Sequence, residues 1–156
     1  MKILITGGKT ATSLKLTKAF GDASIILGDY GDVPSIKVNA YDFASLGPWN
    51  VEVLAHNLLT KCLDYSVDVL LPLYEAEISA VSKSIILFEE FGLKVLLPEN
   101  PQLSSTKFKD WCVFAEGKLI YTSVAIQVEN GSGLNGAYSF DAETGNFALT
   151  SVADPQ

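Results

Sequence analysis

Lys2-Ile3-Leu4-Ile5-Thr6-Gly7-Gly8-Lys9-Thr10 opens the chain with a short apolar strand that runs directly into a glycine turn. The residues from Thr10 onward are typical of a helix. A strand, a glycine turn and a helix in this order commonly begin an α/β sheet that binds a phosphate at the turn. The opening stretch therefore predicts the first unit of a parallel sheet, with a candidate anion site at its turn.

Apolar runs alternate with helical patterns along the following residues. The candidate strands are Ile3–Ile5, Ser24–Leu27, Val67–Leu71 and Lys94–Leu97. Between them, apolar residues recur at intervals of three and four, which predicts a helix across residues 51–65 and another from about Glu75 to Phe91, ended by Gly92. This alternation predicts an α/β fold with an open, mostly parallel sheet flanked by helices.

The pattern changes from about Lys118 onward. Val124, Ile126 and Val128 alternate with polar residues, and turn residues fill 141–146 before a last apolar run. This predicts a small antiparallel β appendage, built as a hairpin or meander. We accordingly divide the chain into an α/β domain, residues 1–112, and a C-terminal appendage, residues 113–156.

Composition excludes several classes of function. The 156 residues carry a net charge of -7, and all 11 basic residues are lysines. An acidic chain of this kind argues against nucleic acid as a partner. Because arginine supplies the planar, bidentate clamps for phosphate and carboxylate, an anion site here must use lysine, backbone N–H groups or a metal.

Cysteine and histidine are scarce. Cys62, Cys112 and His56 are the only residues of these types, which argues against a disulfide framework and against a metal site with nitrogen or sulfur ligands. No apolar run approaches the roughly 18 residues of a membrane span. We expect a cytoplasmic protein that does not enter membranes. Its apolar content of 48% leaves room for a self-associating patch, so we expect a homodimer as one assembly.

The first turn matches neither common phosphate-binding motif. In the dinucleotide fingerprint only Gly7 fits, because Lys9 and Thr12 stand where the second and third glycines belong. In a Walker loop Gly8-Lys9-Thr10 fits, but Ile3 takes the place of the first glycine. What remains is a turn with N–H groups, Thr10 or Thr12 as a helix cap, and a lysine that could reach a phosphate. No cofactor can be named from it.

Three acidic residues and a tyrosine follow the second and third strands. Asp29 lies where an acidic side chain binds a ribose in dinucleotide folds. Because the glycine fingerprint is broken, we favour the alternative that it serves the tight turn Gly28-Asp29-Tyr30-Gly31. Tyr74, Glu75 and Glu77 follow Pro72 after the strand, and carboxylates at a helix start often only stabilise the helix. The candidate ligand- or phosphate-binding residues are Gly7, Gly8, Lys9, Thr10, Asp29, Tyr74, Glu75 and Glu77. The catalytic residues stay unknown, and Glu75 and Glu77 are the candidates if the chain catalyses a reaction. We predict no metal-binding set.

Several segments together carry a family resemblance. They are the Gly7-Gly8 turn, Asp29-Tyr30, residues 72–77, Pro98-Glu99-Asn100-Pro101, and a predicted helix with Lys109-Asp110-Trp111 and Phe114-Ala115. Over roughly residues 1 to 115, the chain resembles the Rossmann-like N-terminal domain that precedes the catalytic part of ATP-grasp ligases, as in biotin carboxylase and the carbamoyl phosphate synthase large subunit.

The resemblance implies that the strand-proline-glutamate segment forms the substrate side of a cleft. It also implies that the ATP and magnesium ligands of the family belong to subdomains that follow this one. The glycine-rich segment Val128–Gly133 is similar to the loop that covers ATP in those subdomains, but it lacks flanking positive charge, and we interpret it as a hairpin loop.

Three hypotheses follow. In the first, the chain is a stand-alone module that binds a small molecule or a partner without ligase activity of its own. In the second, it is a fragment or split subunit of a ligase whose ATP site comes from an ATP-grasp partner polypeptide. In the third, it is an NAD(P)- or nucleotide-binding enzyme that uses the first turn.

Overall fold

A computed structural model describes residues 1–36, 38–127, 131 and 133–155. These residues form a five-stranded parallel sheet with helices and a four-stranded antiparallel sheet nearer the C-terminus. The predicted fold class is confirmed.

The parallel sheet has the strand order β3-β2-β1-β4-β5. Its strands are β1 Lys2–Ile5, β2 Ser24–Asp29, β3 Asp42–Ser45, β4 Val69–Leu71 and β5 Lys94–Val95. In the central strand β1, Ile3 pairs with Ile25 on one side and Val69 on the other. Residues 3–5 are fully buried, because both faces of the sheet are covered.

Helices connect the parallel strands, except that the described residues between β2 and β3 contain none. They are α1 Ala11–Leu16, extended by a 3-10 turn at Thr17–Phe20, α2 Leu54–Asp64, α3 Glu75–Ser82 and α4 Ile85–Glu90. The helix predicted over residues 51–65 is confirmed with a later start. The single helix predicted from Glu75 to Phe91 is wrong, because Ser84 (φ -124°, ψ 19°) lies outside helical geometry and separates α3 from α4. Within the described ranges, no helix is long and apolar enough to cross a membrane.

The antiparallel sheet has the order β7-β6-β8-β9. Its strands are β6 Asp110–Ala115, β7 Lys118–Thr122, β8 Gly136–Asp141 and β9 Asn146–Leu149. The helix predicted around Lys109–Ala115 is wrong: this segment is β6. Residues 111–114 are buried on both faces, so they show no periodicity that separates a helix from a strand. Glu116 and Gly117, both at positive φ, form the two-residue turn into β7.

The remaining C-terminal predictions fare differently. The turn predicted at residues 141–146 joins β8 to β9, as expected. Val124 and Ile126 follow β7 and belong to no strand, and Val124 is 39% exposed. Val128, Glu129, Asn130 and Ser132 lie outside the described residues, so the prediction for the glycine-rich segment is not examined by the structure.

The two sheets pack together. Trp111 and Val113 of β6 share a buried cluster with Ile3 and Ile5 of β1. The Asn135 side chain donates hydrogen bonds to the carbonyls of residues 95 and 97, at 3.3 and 3.1 Å, and so joins the antiparallel sheet to the edge of the parallel one. Strand β6 runs across residues 112 and 113, and the division into two domains at that point stays a prediction.

Candidate functional site

The site predicted from the sequence lies where the order of the parallel strands reverses, between β1 and β4. Ligands of open α/β sheets collect at this point, outside the carboxyl ends of the strands. Thr6 and the glycine turn follow β1, Asp29 ends β2, and Tyr74 follows β4 into α3. The topology therefore brings most of the predicted residues to one edge of the sheet.

The two glycines of the first turn hold it close to β2. Gly7 has φ +64°, a conformation that glycine adopts without strain. A Cβ atom at Gly8 would lie 2.7 Å from the carbonyl carbon of Leu27, closer than real Cβ atoms come. The Gly8 N–H donates to the Gly28 carbonyl at 2.9 Å. Glycine is thus favoured at position 7 by the backbone conformation and at position 8 by the approach of the turn to β2.

Asp29 is 1% exposed and accepts hydrogen bonds at both of its oxygens. Its Oδ2 accepts from the Lys9 backbone N–H at 2.9 Å. Its Oδ1 accepts from the Tyr30 N–H at 2.8 Å and from the Tyr74 hydroxyl at 2.7 Å. A carboxylate of the protein itself therefore uses a donor of the turn that a bound phosphate would otherwise use.

The Lys9 ammonium also bonds within the protein. Nζ donates to the carbonyl oxygens of Tyr30 at 2.9 Å and Asp32 at 3.1 Å, just beyond β2. From the sequence this lysine could reach a phosphate; in the structure its hydrogen bonds join the first turn to the end of the second strand.

Thr10 caps α1, as predicted. Its Oγ1 accepts from the Ser13 N–H at 3.3 Å and its hydroxyl donates to the Gly7 carbonyl at 2.6 Å. The Thr10 N–H donates to the same carbonyl at 2.8 Å. The N–H groups of Gly8, Lys9 and Thr10 all have partners inside the protein.

Glu77 is fully buried on α3. Its carboxylate accepts from the hydroxyls of Thr6 and Tyr30, each at 2.5 Å, and from the Tyr74 N–H at 3.1 Å. Burial raises the pKa of Glu77 to about 7, although the hydrogen bonds from Thr6 and Tyr30 act in the opposite direction. The protonation state of the Glu77 carboxyl group therefore changes near neutral pH.

Two tyrosines complete what we call the carboxyl-edge network, which consists of Thr6, Asp29, Tyr30, Tyr74 and Glu77. Burial, followed by the nearby carboxylates and their hydrogen bonds, raises the pKa of both tyrosines above the usual range, so both hydroxyls stay protonated. Trp49 packs edge-on against the two rings, at centroid distances of 4.8 and 5.5 Å. The side chains of the network therefore bond to one another and to nearby backbone N–H groups, and the Trp49 ring packs against its two tyrosines.

Residues near the C-terminus lie across the same edge. Val152 donates from its N–H to the Leu73 carbonyl at 2.8 Å and accepts from the Glu75 N–H at 3.2 Å. A Val152 methyl lies 3.4 Å from the position of a Cβ at Gly7. Glu75 itself is exposed and stands apart from the network. The crevice between β1 and β4 is therefore occupied by the chain's own residues.

The arrangement offers little chemistry at the surface. Asp29 and Glu77 are buried, and burial raises the pKa of the Cys62 and Cys112 thiols to about 12. His56 is exposed on α2. Within the described part of the chain, no three histidine, cysteine or acidic residues come together as a metal site.

Sequence reasoning missed four residues of this edge: Thr6, Tyr30, Trp49 and Val152. Tyr30 carried a partial signal, since it stands beside Asp29 in a turn sequence. Thr6 and Glu77 are separated by 71 residues, and no local pattern reports a contact of that range.

A scan against protein-family models and a search of the curated proteins both find no match for this chain. The resemblance to the N-terminal domain of ATP-grasp ligases therefore rests on the residues quoted above and stays a prediction.

Proposed function

We propose that this chain is a stand-alone relative of the domain that precedes the catalytic part of ATP-grasp ligases, and that it works as a binding module without ligase activity of its own. The strand order β3-β2-β1-β4-β5, with its reversal between β1 and β4, supports the relationship. The buried and hydrogen-bonded state of both network carboxyls supports the lack of catalysis.

One observation carries the proposal: the Lys9 N–H donates to Asp29 Oδ2. A nucleotide phosphate at the first turn would bring its negative charge beside this buried carboxylate. Like charges repel strongly where solvent is excluded. The Lys9 ammonium, which could offset that repulsion, is bonded to two backbone carbonyls. The module therefore binds its ligand or partner elsewhere than at the first turn, and the nucleotide-dependent enzyme is the least favoured hypothesis.

The test is a thermal-shift titration with ATP, ADP, NAD and NADP, each with and without magnesium. Ligands that bind the native state raise its melting temperature. We expect no saturable stabilisation that depends on Lys9, because Asp29 already accepts from the donor of the first turn. Saturable stabilisation that Lys9→Ala abolishes and Lys18→Ala preserves would overturn the proposal. Lys18 is a suitable control because it is an exposed lysine in the 3-10 turn that extends α1.

A split ligase subunit is the second candidate. The observation that favours it is the apolar exposure of α4 and its end, where Ile86 is 73% and Phe91 53% exposed. Sedimentation and chemical unfolding of the isolated chain distinguish the split subunit from the stand-alone module. A monomer that unfolds cooperatively supports the stand-alone module; a poorly folded chain that an added ATP-grasp polypeptide stabilises supports the split subunit.

A further inference from the structure

We propose that the chain binds a phosphate group, from inorganic phosphate or a phosphorylated small molecule, in a cavity where Lys15 of α1 faces Lys107. The cavity lies between α1, the segment 104–108 and the residues that follow β9. None of its lining residues belongs to the carboxyl-edge network. The site is thus independent of the proposed function and of the first turn.

The cavity is small. Its volume is about 100 Å³, which corresponds to roughly three water molecules at about 30 Å³ each. It accommodates the charged head of a ligand, while the remainder of a larger molecule would extend into solvent.

The charges around the cavity are unusual for this protein. The chain has 18 acidic residues against 11 lysines, yet no carboxylate lines the cavity. Among the described residues, one ion pair is present, between Lys94 and Glu116. Neither Lys15 nor Lys107 is therefore paired with a described carboxylate. Burial and the charge of Lys107 lower the pKa of Lys15. A bound dianion would relieve this repulsion.

Hydroxyl groups supply the remaining donors. Five of them line the cavity, on Thr12, Ser104, Ser139, Thr150 and Ser151. The oxygens of Ser104 and Ser139 accept from the N–H groups of residues 106 and 108, each at 3.1 Å, which leaves their hydroxyl hydrogens to donate. Ammonium and hydroxyl donors together bind phosphate where arginine is absent.

One contact positions the Lys15 side chain, and one hydrogen bond positions the segment that carries Lys107. The Lys15 ammonium lies 5.5 Å from the ring centroid of Trp111, and that ring stacks on Tyr121 at 4.5 Å. The hydrogen bond from the Phe108 N–H to Ser139 attaches the segment that carries Lys107 to β8. The contact of Lys15 with Trp111 reduces the conformational entropy that this side chain loses when a ligand binds.

Phosphate is favoured over carboxylate because two lysine charges balance a dianion and because hydroxyls on several sides suit tetrahedrally arranged oxygens.

The test is isothermal titration calorimetry in chloride buffer at constant ionic strength, with inorganic phosphate, glycerol 3-phosphate and acetate. We expect saturable binding of phosphate-bearing ligands and none of acetate. Tighter binding of glycerol 3-phosphate identifies a phosphorylated metabolite as the natural class, and preference for inorganic phosphate identifies the free ion. No saturable binding of either would overturn the proposal.

Matched variants locate the site. Lys15→Gln and Lys107→Gln should each weaken phosphate binding by at least about tenfold, as expected from the loss of a charge-assisted hydrogen bond. The exposed Lys18→Gln should leave it within about twofold. Phosphate binding that survives the Lys15→Gln, Lys107→Gln double variant would contradict the assignment.

Discussion

The backbone nitrogen of Lys9 lies 2.9 Å from Asp29 Oδ2, so a donor of the first turn is used by the carboxylate that ends the neighbouring strand. In nucleotide-binding α/β folds such donors face a bound phosphate. Here the same geometry fastens β2 to the turn after β1. The strand-turn-helix unit is present, and the acceptor at its turn is a carboxylate of the protein itself.

Asp29→Asn should destabilise the protein. An amide offers one acceptor oxygen in place of two, so either the Lys9 N–H or the Tyr30 and Tyr74 donors lose their partner. A buried unsatisfied group costs about 1–3 kcal/mol, and urea unfolding measures this loss. Asp32→Asn, at an exposed position, is the control and should stay within about 0.5 kcal/mol. Equal stability of the two variants would contradict the role of Asp29.

Glu77 should make stability depend on pH. Its pKa is about 7 in the folded protein and 4.5 in the reference state. Between these values the native state binds more protons than the unfolded chain, so the free energy of unfolding falls as pH rises, by up to about 3 kcal/mol in all. This stabilisation is fully present below pH 4.5 and is lost as pH rises through 7.

Glu77→Gln isolates that contribution, because the amide does not titrate. Unfolding free energies at a series of pH values from 4.5 to 8 should fall with pH more steeply for the wild-type protein than for the variant. Parallel curves would show that Glu77 keeps an ordinary pKa in the folded state.

Gly8→Ala should disturb the first turn. The new methyl group would lie 2.7 Å from a backbone carbon of β2, which cannot move independently. We expect a loss of about 1–3 kcal/mol, the usual cost of overpacking, in thermal or chemical unfolding. Gly21→Ala is the matched control, since no atom lies within 4 Å of its added methyl and its φ of -57° suits alanine. A variant at Gly8 as stable as the control would show that the turn is not pressed against β2.

Asn135→Ala should loosen the joint between the sheets. The side chain donates to the Val95 and Leu97 carbonyls and accepts from the Glu116 N–H at 3.1 Å. Leaving these groups without partners should cost about 1–3 kcal/mol and should increase hydrogen exchange at the start of β8. Asn146→Ala, at an exposed position, serves as the reference. No change in either measurement would mean that apolar packing alone holds the sheets together.

The parallel sheet was predictable because its central strands are continuous apolar runs. Ile3–Ile5 and Val69–Leu71 are buried on both faces, and the sequence shows this directly. Strand β3, Asp42–Ser45, was missed because it is short and only partly buried, so it has neither an apolar run nor a clean alternation.

The sequence predicted which edge of the sheet the candidate residues share, but it did not predict the hydrogen bonds that they make with one another. The turn, Asp29, Tyr74 and Glu77 meet at one edge because parallel strands end there, which topology alone dictates. That Asp29 turns inward to the Lys9 N–H, and that Glu77 bonds to Thr6, depends on side-chain positions set by packing. Such contacts join residues far apart in the chain and leave no local signature.

The most direct test of the account follows the backbone amides of Gly8, Lys9 and Thr10 in ¹⁵N NMR spectra while ATP and magnesium are added. The account predicts that these resonances stay in place, because each N–H already donates to an acceptor within the protein. It also predicts slow exchange of the Lys9 amide with solvent in the wild-type protein and faster exchange in Asp29→Asn. Saturable shifts of these amides with nucleotide would contradict the account, since they would place a phosphate where Asp29 now lies.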